Sequence, residues 1–319
     1  MKAAVVSSFG VAPTYREHEV PVPQGPNEVL VQVVAAGLHP RVRSQADGSH
    51  YTSSGDLPLV PGIDGVGRDP EGRLRYFVLP DTSMGAMAEQ TVIDLRRSIV
   101  LPDAADPVAV AAAMNPVMSS WVALRRRTRL ESGQHVVVLG ATGNAGQLAV
   151  RIARLLGAAR VTAVGRDRAA LARLSELEAT DTVCLDDRAD LAERLGNAAA
   201  NADVVIDYVW GQPTADALRA IVPARADDNQ TLTWIQVGSV AGPESPIPSA
   251  ALRATRLQIV GSGQGSVSTR EIVAELPALA QAITDGQLPV QTRAVPLADV
   301  EQSWDARTAD GARLVVTPS

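Results

Sequence analysis

The chain has 319 residues, enough for two domains with a core each, and its 46% apolar and 20% charged residues are the composition of a globular protein. A net charge of −6 argues against a nucleic-acid partner, because a phosphate backbone asks for a basic face. The single cysteine, Cys184, excludes an intramolecular disulfide and a multi-thiolate metal centre, and no run reaches the roughly 18 consecutive apolar residues of a membrane span.

The first third reads as β. Residues 2–7 and the Val-rich stretch 28–36 (EVLVQVVAA) are predicted strands, with Pro21, Pro23, Gly25 and Pro26 punctuating the gap. The opening apolar run is too short for a secretory signal, so the expected setting is the cytoplasm. A polar loop is expected over 39–56. Pro61-Gly62 and Gly65-Val66-Gly67 suit a tightly bent strand, and further short strands are expected at 74–79 and 86–93, which together make a small irregular barrel. Residues 107–126 read as an Ala-rich helix interrupted at Pro116, ending in Arg125-Arg126-Arg127 and Arg129, a solvated helix end.

Beyond Gly133, strand and helix alternate. Strands are predicted at 135–139, 160–164, 182–185, 203–208 and 233–237, and helices at 145–156, 168–177, 189–195 and 214–221. Continuous apolar strands alternating with helices indicate a doubly wound parallel sheet of the Rossmann type, covered on both faces. A helix over 270–285 and a last strand over 313–317 close the chain. That strand is too short to be a domain and is expected to return to the N-terminal barrel, making it discontinuous. The expected domains are 1–113 completed by 264–319, and 114–263.

One motif carries chemistry. Gly140-Ala141-Thr142-Gly143-Asn144-Ala145-Gly146 follows an apolar strand and opens an apolar-faced helix. Gly143 lets the backbone approach a pyrophosphate, Gly146 lets the helix lie close to the strand, and the helix start offers N–H groups to phosphate. Thr142 to Gly146 are therefore candidate cofactor contacts. The alternative is a plain strand–turn–helix without a ligand. At the end of the next strand, where an NAD site places a carboxylate, stands Gly165-Arg166-Asp167-Arg168. Asp167 reads as a helix N-cap, and two guanidiniums favour the 2′-phosphate of NADPH. Surface solvation is the competing reading for Arg166 and Arg168.

Beyond these motifs the whole chain resembles the medium-chain dehydrogenase/reductase superfamily, in its zinc-independent, quinone oxidoreductase-like branch. The matching segments are Val33-Val34-Ala35-Ala36-Gly37-Leu38-His39-Pro40, Val60-Pro61-Gly62-Ile63-Asp64-Gly65-Val66-Gly67, the stretch from Ser119 through Gly157, Val237-Gly238-Ser239 and Val260-Gly261-Ser262. The resemblance implies a GroES-like β-barrel substrate domain, a Rossmann domain holding NADPH, an active-site cleft between them and a homodimer. It implies no resident metal: where zinc-dependent relatives carry Cys and His, this chain has His39 and Ile63.

Without zinc, the implied chemistry is hydride transfer from NADPH to an electron-poor acceptor, a quinone or an α,β-unsaturated carbonyl. His39 takes the place of an Asn near the nicotinamide in many relatives and is a candidate proton donor; a purely structural role is the alternative. Tyr51 is a second candidate lining residue, with surface exposure as its alternative. Asp64 reads as a buttress of its loop. Ser119 matches a Thr close to the nicotinamide, and its alternative is a helical hydroxyl bonded to its own backbone. By the same resemblance, the backbone at Val237, Gly238 and Ser239 and at Gly261 and Ser262 holds the nicotinamide amide. Two competing functions remain open: a non-catalytic NADPH-binding redox-responsive protein, and a zinc-free ketone or alcohol reductase.

Overall fold

The computed structural model describes residues 1–53, 55–187, 189–306, 308 and 311–318. The chain divides into two compact units, Met1–Asn115 with Ile272–Ser319, and Pro116–Glu271.

The first unit opens with β1 (Lys2–Val5) and β2 (Thr14–Glu17), an antiparallel pair. The long strand β3 (Glu28–Leu38) follows, extending beyond the predicted 28–36, and delivers His39 directly to the start of α1 (Pro40–Ala46). This helix is absent from the sequence reading, which has only a polar loop there. Its cause is visible in the fold: Pro40 sits at the first helical position, and Val42, Gln45 and Ala46 are buried on one face of a seven-residue helix. Then come β4 (Asp64–Arg68), β5 (Leu74–Val78), β6 (Gln90–Asp94) and β7 (Ser98–Val100).

Helix α2 (Pro107–Val122) spans the boundary between the units. Pro116 lies inside it, so the predicted interruption does not occur: the helix tolerates one lost N–H, and Ser119 Oγ donates to the Pro116 carbonyl at 2.8 Å. A π-helical turn, Ala123–Thr128, continues it, and Arg129 ends it in the left-handed region at φ 55°. Together, Pro107–Thr128 form a helix long and apolar enough to cross a membrane by length and composition, which the count of consecutive apolar residues does not reveal. In its most apolar stretch, 67% of the residues are buried inside the protein, as in a core helix.

The second unit alternates β8 (His135–Leu139), α3 (Asn144–Leu155), β9 (Arg160–Gly165), α4 (Arg168–Leu177), β10 (Asp181–Cys184), α5 (Leu191–Ala199), β11 (Val204–Asp207), α6 (Gly211–Ile221), β12 (Leu232–Gln236), α7 (Ala251–Ala254) and β13 (Leu257–Gly261). The sheet order is β10-β9-β8-β11-β12-β13, every pair parallel. All five residues of β8 are buried, and Val137, Leu139, Val164, Val205, Leu218 and Trp234 share one core. Each such side chain contributes roughly 1.5–3 kcal/mol by leaving water.

The chain ends with α8 (Thr269–Thr284), β14 (Thr292–Pro296), α9 (Val300–Ser303) and β15 (Arg313–Thr317). β14 and β15 return to the first unit and complete a sheet in the order β14-β15-β3-β4-β5-β7, with β6 also on β3. Its core gathers Val31, Leu38, Phe77, Met87, Ile93 and Leu314.

Candidate cofactor and acceptor sites

In a parallel sheet of this order, consecutive strands diverge between β8 and β11, and ligands bind outside the carboxyl ends of the strands at such a switch point. The glycine turn lies there. Gly140 adopts φ +87°, and the N–H groups of Gly140 and Ala141 both donate to the Val164 carbonyl at 2.9 Å. A Cβ on Gly146 would stand 2.1 Å from the Gly140 carbonyl oxygen, so only glycine lets α3 lie this close to β8. Gly143 caps α3 with extended backbone and supplies no side-chain hydrogen bond to the helix's first turn. Thr142, Gly143, Asn144 and Ala145 are partly or fully exposed on this turn, while Gly146 is buried under it.

Gly165 ends β9 against this turn: a Cβ there would meet Thr142 Cγ2 at 2.5 Å. Asp167 caps α4, its carboxylate accepting the Ala170 N–H at 3.0 Å, as its reading as a helix N-cap expects. The two arginines differ. Arg168 is paired with Asp187, whose hydrogen bond and charge raise the guanidinium pKa further. Arg166 is exposed and its side chain makes no hydrogen bond or ion pair among the described residues. Cys184 is buried behind it, Sγ 3.4 Å from the Arg166 carbonyl oxygen.

The carboxyl end of β11 is organised by Asp207. Its buried carboxylate accepts the N–H groups of Val209 and Trp210 at 2.9 Å each, Thr214 Oγ1 at 2.5 Å and Trp234 Nε1 at 2.9 Å. This holds Trp210 at φ 54°, an uncommon conformation outside glycine. Tyr208, on the same turn, fits between two glycines: a Cβ on Gly140 would lie 3.2 Å from its Cβ, and one on Gly238 would lie 2.8 Å from its carbonyl oxygen. Its hydroxyl is 2.9 Å from Ser119 Oγ. Ser119 spends its one proton on Pro116, so Tyr208 is the donor, and burial raises the Tyr208 pKa. Ser119, the glycine turn and Gly238 thus converge on a residue that sequence reasoning missed. Its position just after the fourth parallel strand was the available signal.

Val237 and Gly238 donate their N–H groups to the Asp207 carbonyl at 2.8 and 3.1 Å. Ser239 is exposed. The Ser262 N–H donates to Gln236 at 2.9 Å, and Gly261 has open space where a Cβ would be.

In the first unit, His39 is 2% exposed, with Nε2 3.1 Å from Asp64 Oδ1. Asp64 Oδ2 also accepts the Tyr76 hydroxyl at 2.6 Å. Asp64 therefore does more than buttress a loop: it joins two buried side chains. Tyr51 is 73% exposed, its ring 4.3 Å from that of His50. His50 bonds Thr52 Oγ1 at 2.8 Å, and burial with the nearby Arg41 charge pushes its pKa down to about 4. Ile63 is buried in the core, and no group of three or more metal-ligating side chains occurs among the described residues.

One unit with a parallel sheet bearing this glycine turn at its switch point, and another completed by the C-terminal strand, are the parts of a medium-chain dehydrogenase/reductase. The chain belongs to that family: along the full length of both proteins it is 32% identical to the probable NADPH-dependent quinone reductase tdiC of Emericella nidulans. It is also 27% identical to the chloroplastic NADPH-dependent alkenal/one oxidoreductase of Arabidopsis thaliana, over 66% of this chain and 57% of that protein. Residues 145–282 match the family model described as zinc-binding dehydrogenase, a span that contains neither His39 nor Ile63. Among solved structures, the quinone oxidoreductase of Thermus thermophilus, also solved in complex with NADPH, superposes with a TM-score of 0.80. It is 23% identical over 99% of this chain and 100% of that one, which speaks to the fold.

Proposed function

We propose that this oxidoreductase transfers a hydride from NADPH to a quinone or an α,β-unsaturated carbonyl. The second unit holds the cofactor and the first, completed by the C-terminal strands, serves the acceptor. The observation that carries the cofactor choice is Arg166, a guanidinium just after β9 that is unpaired among the described residues, with Asp167 capping α4. The names of the relatives support the acceptor class.

The residues present fit the cofactor. The close approach enforced by Gly146 and Gly165 leaves room for a pyrophosphate at Thr142 to Ala145, on the positive end of α3. Arg166 takes the 2′-phosphate, and Arg168 joins only by exchanging Asp187 for it. Ser119 with Tyr208, and the backbone at Val237, Gly238, Ser239, Gly261 and Ser262, orient the nicotinamide. When bound, NADPH supplies the hydride; the protein aligns it and excludes water. His39 supplies the accompanying proton. Tyr51, 73% exposed, borders the acceptor's path. At the zinc positions Ile63 offers no donor atom, so His39 is free for proton chemistry. We extend the proposal to a cytoplasmic homodimer, supported by β13, which pairs only with β12 among the described strands and leaves an open edge.

Incubation with NADPH and a panel of quinones, enones and simple ketones tests this reading. Oxidation of NADPH by quinones or enones is expected. Binding without turnover would leave a non-catalytic cofactor-binding protein, and turnover confined to simple ketones would make it a ketone reductase.

A further inference from the structure

Three side chains carried on or beside adjacent strands of the first unit meet in its interior, and their wiring has a direction. Neutral His39 has a single N–H, and the Asp64 carboxylate, an acceptor only, claims it at Nε2, 3.1 Å away. The other Asp64 oxygen is occupied by the Tyr76 hydroxyl at 2.6 Å. Tyr76 is fully buried, and burial next to the Asp64 charge holds its phenol well above the usual tyrosine range, so it remains a donor at any working pH. Arg313 opens β15, which pairs with β3, and the Asp64 charge raises its pKa against the effect of burial. Burial pushes the guanidinium down to about 10, still a cation at neutral pH. The ring of His39 is thus held from one side. Its Nδ1 is buried and has no hydrogen-bond partner. Buried polar atoms are nearly always satisfied, so this orphan at the end of a satisfied chain asks for an explanation.

We propose that Asp64 and Tyr76 are positioning residues that fix the His39 tautomer, so that Nδ1 is the atom that gives the proton to the acceptor oxygen. The proposal rests on the reductase reading. As the hydride reaches the acceptor carbon, the carbonyl π pair moves onto oxygen. The Nδ1–H bond of protonated His39 breaks as the O–H bond forms, giving a hydroquinone oxygen or an enol. His39 is left neutral with its Nε2–H still on Asp64, and a proton from water restores it. Asp64 holds the ring through Nε2, and Tyr76 prevents the carboxylate from rotating away.

The test begins on the cofactor-free protein. The chain has four histidines, His18, His39, His50 and His135. A long-range proton–nitrogen spectrum of the uniformly 15N-labelled protein, with His39→Gln to assign the signal, reads the tautomer directly. Neutral His39 is expected as the Nε2–H form. In Asp64→Asn, Tyr76 holds the amide oxygen and turns the amide N–H group towards His39, so the ring switches to the Nδ1–H form. Adding Tyr76→Phe frees the amide to flip and restores Nε2–H in part. In turnover with a quinone and NADPH, Asp64→Asn should lower kcat by about 10²-fold while leaving KM for NADPH unchanged, with Tyr76→Phe intermediate. An Nδ1–H tautomer in the unmodified protein, or an unchanged kcat in Asp64→Asn, overturns the relay. Failure of the unmodified protein to reduce any acceptor would instead overturn the reductase reading, and the tautomer would still report on the wiring.

Discussion

His135 opens β8 with its ring buried and Nε2 2.9 Å from Thr162 Oγ1. Burial, helped by the Arg160 charge, lowers its pKa from 6.5 to about 4. Between those values the unfolded chain binds a proton that the folded one refuses, so stability is fully present above pH 6.5 and is lost as pH falls towards 4. After allowance for screening, the loss amounts to about 2 kcal/mol. Urea unfolding should show a lower midpoint at pH ~5 than at pH ~7, and His135→Gln should reduce that difference, leaving the part that His50 contributes; an equal pH response in the variant would remove His135 as a source. The arginines after β9 show what a single residue's identity conceals. Arg166 and Arg168 look alike in sequence, but Asp187 lies 19 residues from Arg168 along the chain and engages only that one. Arg166→Ala should therefore weaken NADPH binding by about tenfold or more, one lost charge-assisted phosphate contact, and Arg168→Ala by much less. Isothermal titration measures both, and the reverse ranking would reassign the 2′-phosphate to Arg168.

At the scale of elements, local signals explain what is legible. The span 135–139 can be read to the residue because five residues, four of them apolar, end at a glycine; α4 likewise, because Asp167 announces its start. The helix α1 escapes the sequence because seven residues, more than half of them polar, carry too little periodicity, and the strands β2, β7 and β14, three to five residues each, are too short to carry a pattern and are stabilised by pairing. Pro116 misleads for the opposite reason: a strong local breaker is overridden by burial of the apolar helix around it. The glycine turn is legible in full, since the crowding that demands glycine at Gly146 arises from Gly140 and Ala141 in the same turn. Gly146→Ala should separate α3 from β8, abolish NADPH binding and lower the melting temperature. Unchanged binding in calorimetry would mean that Gly140 can move aside without consequence.

For the whole molecule, the return of β15 to β3 makes the first unit discontinuous, which the isolated strand at 313–317 already suggests in sequence. The candidate site is legible only in part. The glycine turn is contiguous and can be found from sequence. Tyr208 and the Asp64–Tyr76 pair become visible only once the strands are side by side, since Ser119 and Tyr208 are 89 residues apart and His39 and Asp64 are 25 apart. A ligand that binds only the folded protein raises its stability with concentration, so NADPH should raise the melting temperature more than NADH does at equal concentration. The most direct measurement is the steady-state kcat/KM for NADPH and for NADH with one quinone and one enone, in the unmodified protein and in Arg166→Ala. Turnover with NADPH favoured by about tenfold or more, and loss of that preference in the variant, is the predicted result. Equal use of the two cofactors by both proteins, or no turnover with either acceptor, would contradict it.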